Sequence, residues 1–171
     1  MKKDELCESF VFLLKVIINN LIKVSNMNKF MIAENKGREK FREIVKQNPL
    51  ILNLEFTDDA YNNVDAYFWF KGKKYAVEIK DRYTFYSSFN IEVLKYNSME
   101  SLMKSGEIDG YYFAVFYKDT CYLYDHNTIK KCYEDFGISE MRAKKTTMRD
   151  SEFTIKKVIS LPTDRAKIKT I

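Results

Sequence analysis

The chain has 171 residues, a hydrophobic fraction of 46% and a formal net charge of +5, which is enough for one core and compatible with a polyanionic partner. Three cysteines without a Cys-x-x-Cys pair exclude a disulfide framework and a cysteine zinc site, and this usage is typical of a reducing cytoplasm. The single histidine, His126, excludes a multi-histidine metal centre, and its Tyr-Asp-His-Asn context favours a surface turn.

Residues 1–30 are predicted to form an amphipathic helix, and residues 31–171 one domain. Polar residues, among them Lys15 and Lys23, interrupt the apolar run and argue against a signal peptide or a membrane span. The helix is expected to pack on its own domain, with dimerisation or membrane-surface contact as alternatives, and Met27 and Met31 are alternative start sites. Its apolar residues recur at spacings of three and four: Leu6, Phe10, Leu13, Leu14, Ile17 and Leu21.

The next elements are a charged helix and three strands. A helix is predicted over Glu34–Lys46, ending before Asn48-Pro49, and Leu50–Phe56 is predicted as a short strand. Val64–Phe70 and Tyr75–Asp81 are rich in aromatic and β-branched residues, which predicts a hairpin closed within Lys71-Gly72-Lys73-Lys74.

The second half alternates helices and strands. Ser87 and Ser88 are predicted to cap a third helix that runs to about Lys104, and a basic, polar segment covers residues 141–150. This order predicts an α/β fold with a mixed sheet flanked by helices. The remaining predicted elements are a hairpin of Tyr111–Tyr117 with Cys121–Tyr124, a helix over Asn127–Phe136 and a strand over Phe153–Leu161.

The first hairpin is predicted to place three charged side chains on one face of the sheet. With Gly72 and Lys73 as the central turn residues, Asp65 would oppose Lys80 and Tyr67 would oppose Glu78. Because side chains alternate along a strand, Asp65, Glu78 and Lys80 then share a face, and the two carboxylates can share one cation. Magnesium prefers such oxygen ligands. The opposite face is predicted to be core: Ala66, Phe68, Phe70, Tyr75, Val77 and Ile79.

These residues resemble the PD-(D/E)XK nuclease superfamily. Asp65 stands in Asn-Val-Asp-Ala, Glu78-Ile79-Lys80 follows thirteen positions later, and the similarity covers roughly Gly37–Asp125. The resemblance implies a restriction-endonuclease-like α-β-β-β-α-β core. It also implies that Asp65 and Glu78 bind Mg²⁺, with Mn²⁺ as a substitute, and that Lys80 assists the attacking water. No proline precedes Asp65, which departs from the family's pattern.

Further site residues follow from the same resemblance. The family frequently adds a glutamate from the preceding helix, and Glu39 matches it best; its alternative is a solvated helix charge. A phage-type subgroup of small nucleases is similar in Glu-Ile-Lys-Asp-Arg followed by a helix with Glu92 and Lys95. These two extend the predicted site, or form an exposed ion pair. Glu34 and Glu43 are alternatives to Glu39 as the glutamate from the preceding helix.

Substrate contacts are expected from basic residues around the site. Nothing in the sequence resembles a base-reading motif, so DNA shape or ends are the expected target. Tyr83, Phe85 and Tyr86 follow the catalytic strand and are predicted to pack rather than to stack on bases. The predicted phosphate contacts are Arg82, Lys95, Lys144 and Lys145. The last two belong to a basic run with Arg142 and Arg149, for which the alternative is a merely solvated segment.

The sequence therefore predicts a cytoplasmic, magnesium-dependent nuclease that hydrolyses phosphodiester bonds of DNA. One alternative is a non-catalytic nucleic-acid-binding module that retains the nuclease fold. A second is a protein-interaction domain that uses the amino-terminal helix, with the charged hairpin face merely solvated. No membrane partner is expected, and the resemblance implies a homodimer without assigning its interface.

Overall fold

A computed structural model describes residue 32 and residues 34–57, 64–144 and 153–171. The chain divides into two units, Met1–Asn35 and Lys36–Ile171. Residues 32, 34 and 35 of the first unit are helical. The amphipathic helix predicted over residues 1–30 lies outside the described residues.

The second unit is a mixed α/β structure. Its first helix, α1, is described here over residues 36–46 and ends shortly before Pro49, as predicted. No helix in the described part of the chain is long and apolar enough to cross a membrane. The remaining elements are β1 (Ile51–Phe56), β2 (Ala66–Phe70), β3 (Lys73–Arg82), β4 (Ser88–Glu92), α2 (Val93–Lys104), β5 (Gly110–Tyr117), β6 (Thr120–Asp125), α3 (His126–Phe136), β7 (Ser139–Lys144), β8 (Phe153–Pro162) and β9 (Lys167–Thr170).

Two sheets organise this unit. The larger has six strands in the order β1-β2-β3-β5-β6-β9, and the smaller has three in the order β4-β8-β7. Strands β3 and β5 are parallel and are connected through α2, whereas their neighbours pair antiparallel. The predicted α/β class, with a mixed sheet flanked by helices, is confirmed.

Helix α1 covers one face of the larger sheet. Phe41 and Val45 of α1 are buried with the alternating residues of β2 and β3 that were predicted as core. Ala66 and Val77 are fully buried there, while Phe70 and Tyr75 are partly buried against the cluster. The predicted apolar face is therefore confirmed.

The other face of the larger sheet packs against α2, α3 and the smaller sheet. Met99 of α2, Ile129 of α3 and Ile159 of β8 are each 0% exposed and belong to one core cluster. Tyr111 and Phe113 of β5 complete this layer from the sheet side. Glu78, Lys80 and Arg82 alternate with the α1-facing residues of β3, so their side chains belong to this second face.

The hairpin of β2 and β3 has a different register from the predicted one. Phe70 pairs with Lys73 and Ala66 with Val77, so Lys71 and Gly72 are the central turn residues. Both have positive φ, 53° and 75°, which is the requirement of a type I′ turn. The correction moves the partners by two residues. Because side chains alternate with a period of two, the residues of β2 and β3 keep their predicted faces.

The helix predicted from Ser87 begins later. Ser88–Glu92 is strand β4, and α2 starts at Val93 with Glu92 as its N-cap. Phe89 and Ile91 are buried at alternate positions and pair with Leu161 and Ile159 of β8. Pairing with a distant strand therefore overrides the local capping signal of the two serines.

Besides β4, two further strands were not predicted. β7 occupies part of the segment predicted only as basic and polar, and it pairs with β8. β9 pairs with β6 at the edge of the larger sheet. His126 is the first residue of α3 rather than part of a free turn, and its ring lies 5.8 Å from that of Tyr111.

Candidate functional site

Asp65 is held against β3 just before β2 begins. Its backbone N–H donates to Val77 O at 3.0 Å, and its Oδ2 accepts from the Ile79 N–H at 2.6 Å. These two bonds join Asp65 to the residues of β3 on either side of Glu78, so Asp65 is not paired opposite Lys80 as predicted. Its carboxylate is close enough to act electrostatically on both Glu78 and Lys80.

Glu78 is a buried carboxyl in contact with two lysines. Its side chain is 1% exposed, the Lys80 Nζ lies 2.5 Å from Oε1, and the Lys95 Nζ donates to Oε2 at 3.0 Å. The Lys80 side chain is 39% exposed and the Lys95 side chain 25% exposed, so both side chains are partly accessible to solvent. Lys80 was predicted on this face, and Lys95 was predicted, with Glu92, to extend the site.

The electrostatics of the three groups are coupled. Burial raises the pKa of Glu78, and the nearby Asp65 carboxylate adds to that effect, whereas Lys80 and Lys95 oppose it. Burial alone would lower the pKa of Lys80, but the Glu78 and Asp65 carboxylates outweigh it and raise that pKa. The site therefore disfavours the ionised form of the Glu78 carboxyl and favours the protonated form of the Lys80 amine.

The carboxyl groups of Asp65 and Glu78 are of the ligand type that a hard divalent cation prefers. Asp65 and Glu78 supply carboxylate oxygens, and the buried Oε1 of Glu78 has no partner in hydrogen-bonding geometry despite its ion pair with Lys80. Among the described residues, no three or more histidine, cysteine, aspartate or glutamate side chains are grouped to hold a metal. Any cation here would take its remaining ligands from water or substrate.

The other predicted acidic residues stand apart from this pair. Glu39 is exposed on α1, and α1 packs on the sheet face opposite to Glu78. Glu92 pairs with Lys156, whose Nζ lies 2.6 Å from Oε1. Lys95 is the member of the extended site that the structure brings to Glu78. The role of Glu39 as a ligand stays a prediction.

The structure describes the side chains of only some of the basic residues that were predicted to contact phosphate. Arg82 is exposed on the same face of β3 as Lys80, and its charge acts to lower the pKa of Lys80. Arg142 is exposed on β7. The side chains of Lys144, Lys145 and Arg149 lie outside the described residues.

Of the three aromatic residues after β3 that were predicted to pack, Phe85 packs on other rings, and all three remain exposed. Tyr83 is 74% exposed, Phe85 47% and Tyr86 54%. Only Phe85 of these was found against other rings, at 5.5 Å from Tyr117 and 6.0 Å from Tyr122. Their position between charged Arg82 and polar Ser87 was the sequence signal for exposure.

Comparisons with known proteins returned no relatives. A scan against protein-family models found no match, and searches of curated proteins and of solved structures also found none.

Proposed function

We propose that this protein is a metal-dependent nuclease that hydrolyses phosphodiester bonds of DNA. The observation that carries the proposal is the Asp65 carboxylate, held on the Ile79 N–H of β3 and close enough to act on the buried Glu78 carboxyl, with Lys80 ion-paired to Glu78. Charged groups buried on a sheet face are costly, and perturbed carboxyls with a specific charge partner are common at functional sites. The element order α1-β1-β2-β3-α2-β5, interrupted only by β4, supports membership of the PD-(D/E)XK superfamily.

The proposed chemistry divides between the carboxylates and the lysines. Asp65 and Glu78 would hold Mg²⁺ or Mn²⁺, which supplies Lewis-acid polarisation of the phosphate and lowers the pKa of bound water. Lys80, whose side chain is partly exposed, would contact a phosphate oxygen and orient the attacking water. Lys95 would balance the charge of Glu78 from the opposite oxygen and keep that carboxylate oriented.

The cellular setting follows from the same proposal. A nuclease of this type would act in the cytoplasm, and a homodimer would bring two sites to the two strands of a duplex. Arg82 and Lys95 are the described basic residues that would contact the DNA backbone.

Plasmid nicking tests the proposal. The full chain is incubated with supercoiled plasmid in Mg²⁺, in Mn²⁺ and in EDTA, and nicked and linear products are measured. We expect metal-dependent nicking that falls by about 100-fold or more in Asp65→Asn, Glu78→Gln and Lys80→Ala. Lys156→Ala is the matched control, because it removes another partly exposed, ion-paired lysine outside the site. Undiminished activity in any of the first three variants would remove that residue from the mechanism.

A non-catalytic nucleic-acid-binding module is the second candidate. It is favoured by the two lysines that already neutralise Glu78 and by the lack of a third acidic ligand among the described residues. This candidate predicts metal-independent DNA binding without nicking under any of the three conditions. Isothermal calorimetry with Mg²⁺ or Mn²⁺ would then show no binding, whereas the nuclease would bind in the wild type and lose binding in Glu78→Gln.

A further inference from the structure

A short exposed segment follows the strand that carries Glu78 and Lys80. Residues 83–87, here called the aromatic loop, connect β3 to β4 in the order Tyr83-Thr84-Phe85-Tyr86-Ser87, and all five are exposed. Three large aromatic side chains in a surface loop leave apolar rings in contact with water. Clustered exposure of this kind is typical of a binding surface.

The aromatic loop lies on the same sheet face as Glu78 and Lys80. The Phe85 ring contacts Tyr122, and Tyr122 packs against the core cluster on the α2 side of the sheet. Glu78, Lys80 and Arg82 point to that side at alternate positions of β3. A strand advances about 7 Å in two residues, so Arg82 continues the basic line from Lys80 towards the loop.

Positive charge accompanies these rings. Arg82 is exposed and pairs in register with Tyr117, and the Lys118 Nζ lies 5.5 Å from the centre of the Tyr117 ring. Charged residues are depleted at the centres of protein–protein interfaces. Basic groups beside exposed rings are instead the combination that binds the phosphates and bases of single-stranded nucleic acid.

We propose that the aromatic loop is a stacking platform for unpaired bases, on which Tyr83 and Tyr86 are the principal contacts. The phosphate backbone of the same strand runs along Arg82 and Lys80 to the Glu78 site. The preferred substrate is then a duplex with an adjoining single-stranded segment. This inference rests on the proposed function, because it assigns the substrate class of the Glu78 site.

Binding in EDTA tests the platform without cleavage. Fluorescence anisotropy compares a blunt DNA duplex with the same duplex carrying a single-stranded tail, and a 2-aminopurine in the tail reports stacking. We expect the wild type to prefer the tailed DNA and to change the 2-aminopurine emission. The Tyr83→Ala/Tyr86→Ala variant should bind the tailed DNA about 10-fold or more weakly and lose the emission change. Phe85 is left in place because it packs on Tyr117 and Tyr122.

Two control variants separate stacking from charge and from general surface effects. Tyr133→Ala removes an aromatic side chain that is 39% exposed on α3, and it should keep the preference for tailed DNA. Arg82→Ala should lower the slope of log affinity against log salt by about 1 and keep the emission change. The double tyrosine variant should leave that salt slope unchanged.

Three results would overturn the platform. The first is equal affinity of the wild type for the two DNAs, and the second is a preference for tailed DNA that persists in the double variant. The third is a changed oligomeric state of the double variant in sedimentation, which would make the loop a contact with a second copy. The nuclease proposal is judged separately by plasmid nicking. A chain that nicks plasmid but ignores the tail refutes only the platform, and one that prefers the tail but never nicks refutes only the nuclease.

Discussion

Lys95 on α2 and Glu78 on β3 are joined by a hydrogen bond of 3.0 Å from the ammonium group to the carboxylate Oε2. The bond ties the crossover helix to the sheet at the candidate site. Because Glu78 is 1% exposed, its charge depends on this lysine and on Lys80 rather than on water. The same contact therefore affects both the stability of the domain and the state of the site.

Lys95→Met is expected to destabilise the domain. The substitution keeps the apolar stem and removes one of the two cations beside the buried Glu78. We expect a loss of about 1–3 kcal/mol in the free energy of unfolding, below the value for a fully buried pair because Lys95 is 25% exposed.

Urea denaturation at neutral pH measures this loss. Lys156→Met is the matched control, because its partner Glu92 is 39% exposed, and its loss should stay below about 1 kcal/mol. Equal losses in the two variants would show that burial of Glu78 does not make it depend on Lys95.

The β2–β3 turn should respond in opposite directions to two substitutions. Gly72 has φ 75° with open space around its α-carbon, so Gly72→Ala adds backbone strain without a clash and should cost about 1 kcal/mol. Lys71 has φ 53°, and Lys71→Asn introduces the Asn-Gly pair that type I′ turns prefer, which should stabilise by a few tenths of a kcal/mol. Urea midpoints would measure both, and a stabilising Gly72→Ala would contradict the turn type.

Asp125 should make stability depend on acid pH. Its side chain accepts hydrogen bonds from the Thr128 N–H and from Lys167, and it caps α3. Burial alone would raise the pKa of Asp125, but these hydrogen bonds outweigh it and lower the pKa from 3.8 to about 2. A carboxyl with a lowered folded pKa stabilises the protein above its unfolded pKa. That contribution is lost as pH falls from about 3.8 to about 2.

Asp125→Asn isolates this charge effect because asparagine still caps a helix. We expect a loss of about 1–2 kcal/mol at pH 7 that shrinks only as pH is lowered from about 3.8 to about 2. Denaturation by urea at several pH values measures it, with Asp119→Asn in the exposed β5–β6 turn as control. A loss independent of pH would contradict the assignment.

The two described cysteines should be inert towards thiol reagents. Cys121 and Cys132 are both 0% exposed. Burial raises the pKa of the Cys121 thiol to about 12, and it also raises the pKa of Cys132 against the opposing effect of Arg165. Because the thiolate is the reactive form, neither should react with DTNB in the native state. A Cys7→Ser variant isolates them: two thiols should appear only after addition of urea, and rapid native labelling would refute the burial.

The β2–β3 hairpin was predicted correctly, although its register was wrong. The turn residues were displaced by one position, because both Lys71 and Gly72 have positive φ and no sequence rule makes lysine a preferred residue there. The resulting shift of two residues preserved the faces. Asp65 bonds to β3 at Val77 and Ile79, and Lys80 forms its ion pair with Glu78.

Other errors came from contacts between distant parts of the chain. Ser87-Ser88 is a sound local signal for a helix N-terminus, yet Ser88 to Glu92 pairs with β8, about seventy residues later. The prediction that the residues of the aromatic loop are packed was inaccurate for the same reason. Composition does not tell whether neighbouring elements will cover a ring.

By itself, the sequence determined the α/β class, the apolar face beneath α1 and the shared face of Glu78 and Lys80, because strand alternation is a property of local backbone geometry. Only the tertiary structure decided that Lys95 reaches Glu78, that Glu92 turns to Lys156 and that the aromatic loop stays exposed. Those outcomes depend on which distant segments meet in space, and a pattern of neighbouring residues does not contain that information.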